Sequence, residues 1–199
     1  MQIEVVKVGS RQSPLARLQA DNAISRIDYP AEIITMLEVA DEDLSRPVHE
    51  MGGKGMFCTK LEKALINRQI HCAIHSAKDC ATIETPGTEL LGVVYRGDPR
   101  DCVIGDHSLH QLPAGSRIGT SAPRRIEAIR LIRPDCQVVE VRGNVNTRLN
   151  KLRDKQVDAL ILGQSVIDRM GLDVPHHTIS EEVILPAAGA GKVVVQVRK

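Results

Sequence analysis

Short runs of aliphatic and β-branched residues alternate along the chain with segments in which apolar residues recur every three or four positions. The first pattern predicts strands, and the second predicts amphipathic helices. Strands are predicted at residues 3–8, 31–37, 71–75, 90–94, 137–141, 159–162 and 193–197. Helices are predicted after Ser13, which is placed to cap a helix beginning at Pro14, and at residues 56–67, 121–133, 144–154 and 166–170. This alternation implies βαβ units and mainly parallel sheets.

A turn-rich segment at residues 96–100 divides the alternation into two halves and is predicted to be a domain hinge. The last predicted strand has no helix after it, so we expect it to return to the first sheet. The predicted domains are therefore residues 1–95 together with 185–199, and residues 96–184, both of the α/β class. A polar stretch at residues 38–51 is predicted to be a mobile loop that runs into the glycine-rich residues 52–55.

The composition limits the kinds of partner that the chain can bind. Its 199 residues include 26 Lys and Arg against 25 Asp and Glu, which gives a net charge of +1, and there is no Trp. Nucleic-acid binders normally carry a clear basic charge, and base stacking requires aromatic side chains. We therefore expect no nucleic-acid partner. Any anion must be recognised by a local cluster of positive charge.

The N-terminus and the cysteines bear on the compartment and on metals. No signal-like apolar segment and no run long enough to span a membrane occurs, so a cytoplasmic chain without a membrane partner is expected. The five cysteines form no C-x-x-C pair, so no disulfide framework is expected, and Cys80 is interpreted as a small space-filling residue. His75 is interpreted as a hydrogen-bonded histidine at a strand end, and no metal site is predicted.

Polar and basic side chains follow several predicted strands, where ligands bind in α/β sheets. These candidates are Arg11, Ser13, Ser76, Lys78, Asp79, Arg124, Arg125, Arg142, Asn144 and Arg148. The arginine guanidinium matches a carboxylate bidentately, and helix N-termini add N–H donors. The pattern therefore predicts a site for a ligand with several carboxylates or phosphates, in which the cations surround Asp79. Ordinary alternatives are a solvated helix face for Arg124 and Arg125, a helix cap for Asp79 and a loop lysine for Lys54.

Seven motifs carry a family resemblance. They are GSRQSPLAR (9–17), GGKGMF (52–57), AIHSAKD (73–79), DPRD (98–101), GTSAPRR (119–125), VRGNVNTRL (141–149) and LPAAGAG (185–191). In this order, and over essentially the whole chain, they resemble porphobilinogen deaminases, also called hydroxymethylbilane synthases. The resemblance implies two domains of periplasmic-binding-protein-like architecture with a cleft between them.

The resemblance also implies a transferase of tetrapyrrole (haem, porphyrin) biosynthesis. The family condenses porphobilinogen into hydroxymethylbilane with loss of ammonia, and the growing chain hangs from a dipyrromethane cofactor tethered to a cysteine. The implied partners are porphobilinogen and oligopyrrole carboxylates. Asp79, which matches a residue that contacts pyrrole N–H groups, and Lys78 are the predicted catalytic residues. The predicted substrate- and cofactor-binding residues are Arg11, Ser13, Lys54, Phe57, Ser76, Arg124, Arg125, Arg142, Asn144, Arg148 and Arg169.

The chain also departs from the family pattern. The family has a third domain with the cofactor-anchoring cysteine, and this sequence is expected to lack both. Glu38–Asp41 replaces T-R-G-D, and Glu50 replaces a lysine, so cations are lost before the glycine-rich segment. Three functions remain open: the transferase, a pyrrole- or carboxylate-binding relative without turnover, and a structural or regulatory relative of a full-length enzyme. A protein partner that covers the surface left by the missing domain also remains open.

Overall fold

A computed structural model describes residues 4–38, 56–81 and 83–199 of the chain. Its strands are β1 (Val6–Arg11), β2 (Ala31–Met36), β3 (Cys72–Ser76), β4 (Thr88–Arg96), β5 (Asp101–Ile104), β6 (Arg117–Gly119), β7 (Gln137–Val139), β8 (Ala159–Gly163), β9 (His176–Thr178) and β10 (Lys192–Arg198). Its helices are α1 (Pro14–Ile24), α2 (Thr59–Ile66), α3 (Pro123–Ile132), α4 (Val145–Arg153) and α5 (Gln164–Met170), with a 3₁₀ helix at Ala77–Asp79. No helix within the described ranges is long and apolar enough to cross a membrane.

The described residues divide into two compact units. One unit is drawn from Met1–Arg96 and Gly191–Lys199, and the other from Gly97–Ala190. Residues 185–190, which the sequence analysis assigns to the first domain, lie in the second unit. One contact that holds them there is a hydrogen bond of 2.9 Å from Arg124 Nη1 on α3 to the carbonyl oxygen of Leu185.

The first unit contains a five-stranded sheet in the order β2-β1-β3-β10-β4. Strand β1 is parallel to β2 and β3, while β10 is antiparallel to both β3 and β4. Helix α1 begins where the sequence predicts, because Ser13 Oγ accepts a hydrogen bond of 3.3 Å from the amide of Ala16 and Pro14 occupies the first turn. The predicted Ser13 cap is therefore confirmed.

Helix α2 packs closely on the same sheet and is fixed at its N-terminus. A Cβ atom added to Gly9 in β1 would lie 2.3 Å from Ile70 Cδ1 and 2.8 Å from Leu61 Cδ2, so a larger residue would force these two side chains to move. Glu38 is fully buried, and its carboxylate accepts hydrogen bonds of 2.9 and 3.0 Å from the amides of Lys60 and Leu61. A carboxylate at this position satisfies free amides and stabilises the helix dipole.

The second unit contains another five-stranded sheet, in the order β7-β6-β8-β5-β9. Strand β6 is parallel to β7 and β8, while β5 is antiparallel to both β8 and β9. Its core includes the buried residues Val103, Ile118, Ile129 and Ile161. The sheets of both units are therefore mixed, and not mainly parallel as the sequence predicts.

Two sequence-based assignments fail in the second unit. The hydrophobic pattern does not predict strands β5, β6 and β9, since they have four, three and three residues, too few for a clear period of two. Ser121 does not cap helix α3, which begins at Pro123 after Ala122 and has no side-chain cap. Proline at the first position fixes the start of this helix, because its φ angle is already helical and it has no N–H to satisfy.

Candidate functional site

In the first unit, an aspartate and an arginine meet at the C-terminal ends of two neighbouring parallel strands. Arg11 ends β1, and Asp79 lies in the 3₁₀ helix that directly follows β3. Arg11 Nη1 lies 3.7 Å from Asp79 Oδ2, and the two side chains are 20% and 25% exposed. The Arg11 guanidinium also lies 4.4 Å from the centre of the Phe57 ring, which orients it by a cation–π contact. The Asp79 carboxylate is thus partly accessible and only loosely paired.

The other predicted residues of the first unit have the following positions. Ser13 caps α1, and the Ser76 hydroxyl accepts a hydrogen bond of 3.0 Å from Gln19 Nε2. Lys78 is half-buried in the same 3₁₀ helix as Asp79. Lys54 lies outside the described residues. The structure therefore brings Arg11, Phe57 and Asp79 together, while Ser13 and Ser76 make contacts with α1.

Two thiols and an imidazole lie beside this aspartate. Cys58 Sγ donates a hydrogen bond of 3.6 Å to the carbonyl oxygen of Asp79, and Cys80 Sγ donates one of 3.8 Å to the carbonyl oxygen of Ser76. The hydrogen bond with Cys80, together with burial, raises the pKa of the Cys58 thiol well above its usual range. The Cys58 thiol is therefore protonated near neutral pH.

His75 on β3 faces these thiols and is only 3% exposed. Burial lowers the pKa of His75 to about 4, and the charge of Arg11 acts in the same direction, while the nearby Gln196 amide opposes the shift. Its Nε2 atom has no hydrogen bond to any of the described residues. The interpretation of His75 as a hydrogen-bonded histidine stays a prediction, because the side chain of Gln196 lies close enough to affect its pKa as a hydrogen-bond partner.

In the second unit, Arg124 and Arg125 both bind the carboxylate of Asp101. Arg125 donates to it from Nε and Nη2 at 3.1 and 2.7 Å, and its Nη1 donates to the carbonyl oxygen of Ile161 at 2.9 Å. Arg124 Nη1 lies 2.7 Å from Asp101 Oδ2. All three nitrogen atoms of the buried Arg125 are thus engaged within the protein. Its assignment as a contact for ligand carboxylates stays a prediction.

The sequence analysis missed Asp101 as a member of this site. Burial by itself would raise the pKa of Asp101, but hydrogen bonds from Arg125 and Arg124 outweigh this effect and lower it. Asp101 is the last residue of the DPRD motif and the first residue of strand β5. The proline in this motif indicates a turn, so the motif does not predict that a strand begins at Asp101. The two consecutive arginines at 124 and 125 were the only available signal, since a buried Arg requires a nearby carboxylate.

Arg148 is a half-buried cation in a positive environment. Its Nε donates a hydrogen bond of 2.8 Å to the carbonyl oxygen of Gly143. Burial lowers the pKa of Arg148 to about 10, and repulsion by Arg125 and Arg142 adds to this shift. A cation that is destabilised by burial and by like charges is stabilised when an anion binds next to it. We call Arg125, Arg142 and Arg148 the arginine cluster.

The loop that leads to Arg148 has a shape that requires glycine. Gly143 has a φ angle of +106°, and an added Cβ atom would lie 2.8 Å from Thr147 Cγ2. Asn144 then caps α4 by accepting a hydrogen bond of 3.0 Å from the amide of Thr147. Arg169, in the last turn of α5, makes contacts of its own and is half-buried. The meeting of these residues with Asp79 in one cleft stays a prediction.

The sequence matches one protein-family model over nearly its entire length. Residues 6–199 match the family described as "Porphobilinogen deaminase, dipyromethane cofactor binding domain". The match to this family model therefore spans both units and every candidate residue named above.

Individual relatives agree with the family match. The chain is 34% identical over 197 residues to a probable porphobilinogen deaminase of Picrophilus torridus, covering 98% of this chain and 70% of that protein. It is 38% identical over 200 residues to the porphobilinogen deaminase of Geobacter metallireducens, covering 97% of this chain and 63% of that protein. The chain thus spans about two thirds of the length of these relatives.

Solved structures resemble the chain in fold alone. The sulfate-bound regulatory domain of OxyR2 from Vibrio vulnificus has a TM-score of 0.55 at 16% identity and covers 100% of this chain and 90% of that one. The ligand-binding component of an ABC-type import system from Staphylococcus aureus has a TM-score of 0.51 at 11% identity and covers 98% and 66%. The predicted α/β class and periplasmic-binding-protein-like architecture are confirmed.

Proposed function

Since this chain belongs to the porphobilinogen deaminase family, we propose that it is a transferase that condenses porphobilinogen into hydroxymethylbilane with release of ammonia. The activity of the whole protein is part of the proposal, because the chain spans about two thirds of the length of its relatives. The observation that supports the proposal is the arginine cluster, in which burial and the charges of Arg125 and Arg142 lower the pKa of Arg148.

The chemistry of the substrate fits the arginine cluster. Each porphobilinogen unit carries an acetate and a propionate, so a growing oligopyrrole gains two negative charges with every unit. The depressed pKa of Arg148 supports a site that is short of negative charge. Arg142 and Arg148 would accept one carboxylate each. Arg125, held by Asp101, would support them by its charge and position.

Asp79 would act on the pyrrole itself. Its carboxylate is partly accessible and only loosely paired with Arg11, so it is available to accept hydrogen bonds from pyrrole N–H groups. As the aminomethyl group loses ammonia, positive charge develops on the ring, and a fixed carboxylate next to it stabilises that charge. Lys78, in the same short helix, would hold a carboxylate of the same pyrrole.

The residues present also fit the dipyrromethane cofactor of the family. This group offers four carboxylates and two pyrrole N–H groups, which match the positive charges of the arginine cluster and a carboxylate that accepts hydrogen bonds. Arg142 and Arg148 would hold its carboxylates, and Asp79 would accept its N–H groups. When bound, the cofactor supplies the pyrrole to which the growing chain is attached.

Binding without turnover is the second candidate function. It is favoured by one observation: the arginine cluster is contained within the second unit, whereas Asp79 belongs to the first. The second unit alone therefore has the groups needed to bind a carboxylate ligand, without the predicted catalytic residue.

Turnover and binding can be separated by incubating the full chain with porphobilinogen. We expect consumption of porphobilinogen, release of ammonia and oxidation of the product to a coloured porphyrin, with pyrrole units detected on the protein by intact mass spectrometry. Asp79→Asn should lower turnover by roughly a hundredfold or more, since one electrostatic contact to the transition state is lost. Asp158→Asn is the matched control, because Asp158 pairs with Arg117 at the surface.

The results distinguish the two candidates. Product formation by the wild type and by Asp158→Asn, with its loss in Asp79→Asn, supports the transferase. Calorimetric binding of porphobilinogen without ammonia release supports the binding function instead. Full turnover by Asp79→Asn would remove this residue from its proposed role.

A further inference from the structure

We propose that Cys58, His75 and Cys80 form a binding site for a zinc ion within the first unit. The two sulfur atoms and one ring nitrogen of His75 all lie within 4.8 Å of one another. Zinc prefers thiolate and imidazole ligands, and two cysteines with one histidine are a ligand set that it uses with an open fourth position. The site is independent of the proposed transferase activity.

The three ligands are carried by ordered segments. Cys58 directly precedes helix α2, whose first amides are bound by the buried Glu38 carboxylate. His75 lies in β3, in the middle of the sheet, where it is paired with Val194 of β10. Cys80 ends the short 3₁₀ helix that follows β3. A ligand set held in this way loses little conformational entropy when a metal binds.

The present partners of these groups are weak or missing. The two thiol hydrogen bonds are long, at 3.6 and 3.8 Å between the sulfur and oxygen atoms. His75 Nε2 is buried without a hydrogen bond to the described residues, and leaving such a group unsatisfied is unfavourable. Cys58 is 1% exposed and His75 is 3% exposed, so bulk water does not supply the missing hydrogen bond. A ligand that satisfies the cluster is therefore favoured.

The separation of the ligand atoms suits zinc without a change in the backbone. With Zn–S bonds of about 2.3 Å in tetrahedral geometry, two sulfur atoms lie about 3.8 Å apart. The atoms of the cluster are already within 4.8 Å, so small side-chain rotations bring them to this distance.

The charges also balance. Each thiol loses one proton to solvent when it binds the ion, and the two thiolates neutralise the 2+ charge, while the imidazole binds as the neutral ring. No oxidant or reductant takes part. Because protons are released, zinc affinity is expected to rise with pH.

The site would also affect the backbone around Asp79. Cys58 Sγ now donates to the carbonyl oxygen of Asp79, and Cys80 is the next residue in the chain. A metal-bound thiolate cannot donate this hydrogen bond. In place of this hydrogen bond, a bound ion would form a bond to Cys80 Sγ. This bond would fix the end of the 3₁₀ helix more firmly.

The test is a titration of the full chain, reduced with a phosphine, with Co²⁺ as a spectroscopic probe and Zn²⁺ as the competitor. We expect one ion per chain, a thiolate-to-cobalt charge-transfer band, and its loss when Zn²⁺ displaces Co²⁺. Cys80→Ser and His75→Gln should each weaken binding more than about tenfold, the loss that even an outer-shell change causes. Cys136→Ser is the control, since Cys136 lies in the second unit outside the cluster.

A second measurement does not depend on how the variants fold. In the wild type, Zn²⁺ should protect the half-buried Cys80 from alkylation, as read by peptide mass spectrometry, and should leave the reactivity of the half-buried Cys136 unchanged. The absence of a charge-transfer band, equal affinity of Cys80→Ser and wild type, or equal alkylation with and without Zn²⁺ would each overturn the proposal.

Discussion

Each unit of this protein has an arginine–aspartate pair at its candidate site, and the two pairs differ in nearly every physical respect. Asp101 in the second unit is 1% exposed and lies 2.7 Å from both Arg124 and Arg125. Asp79 in the first unit is 25% exposed and lies 3.7 Å from Arg11. The Asp101 arrangement in the second unit is a closed ion pair in the interior. The Asp79 arrangement in the first unit leaves its carboxylate open to a ligand.

The difference shows that pairing alone does not identify a functional carboxylate. Arg124 and Arg125 occupy the Asp101 carboxylate, which has little capacity left for another partner. Through Arg125, α3 is held against Asp101 of β5 and Ile161 of β8. Asp79 is paired loosely, at the end of a strand, and retains its capacity to accept hydrogen bonds. The comparison can be tested by changing each pair in turn.

The largest effect is expected when the closed pair is broken from the arginine side. Arg125→Met should lower the free energy of unfolding by about 3–5 kcal/mol, because Asp101 loses a bidentate partner in the interior. Urea unfolding followed by circular dichroism measures this change. Arg117→Met removes an equally bidentate arginine from an exposed pair with Asp158, and its unfolding should remain close to that of the wild type. Similar losses in both variants would contradict the structural role of Arg125.

A smaller effect is expected when the arginine cluster is reduced. Arg148→Met, placed in an Asp79→Asn background in which slow turnover is expected, should weaken calorimetric binding of porphobilinogen roughly tenfold to a hundredfold, because one charged hydrogen bond is lost. The same variant should gain up to about 1 kcal/mol in stability, since it removes a cation that burial and like charges destabilise.

The control for this prediction lies on the same helix. Arg153 is exposed at the end of α4 and donates to Asn150 Oδ1, so Arg153→Met should leave porphobilinogen affinity unchanged. If both variants bind equally well, Arg148 does not contact the ligand.

The smallest effect concerns acid. The pKa of Asp101 is lowered in the folded state, so its charge stabilises the fold. This contribution is fully present at pH values above the pKa of the unfolded carboxyl, about 4, and it is lost as the pH falls through the folded-state pKa. The difference in unfolding free energy between wild type and Asp101→Asn should be constant at neutral pH and should shrink in acid. Other acidic residues titrate alike in both proteins and cancel. A difference that does not change with pH would contradict the assignment.

Local signals allowed much of the fold to be predicted from the sequence. The Ser13–Pro14 helix start depends on residues that are adjacent in the chain, and the sequence therefore contains the whole signal. The same holds for Asp79, which directly follows a strand of apolar residues ending at His75 and Ser76. The helix start was confirmed, and the catalytic role of Asp79 stays a prediction.

The features that were missed depend on contacts between distant residues. Asp101 meets Arg125 across 24 positions, and its strand β5 is too short to show a period. Cys80 follows His75 closely in the chain, whereas Cys58 is distant from it and is brought to His75 by the packing of α2 on β3. Burial of Glu38 is equally non-local, because its partners Lys60 and Leu61 follow after a long gap.

The most direct test of the contrast between the two aspartates is to make the same change at both and compare their unfolding. Asp79→Asn should alter the unfolding free energy by less than about 1 kcal/mol, as expected for a loose, partly exposed ion pair. Asp101→Asn should lower it by about 3 kcal/mol or more, because the buried Arg125 and the partly exposed Arg124 lose their counter-charge. Equal losses in the two variants, or a larger loss for Asp79→Asn, would contradict the distinction between an open and a closed pair.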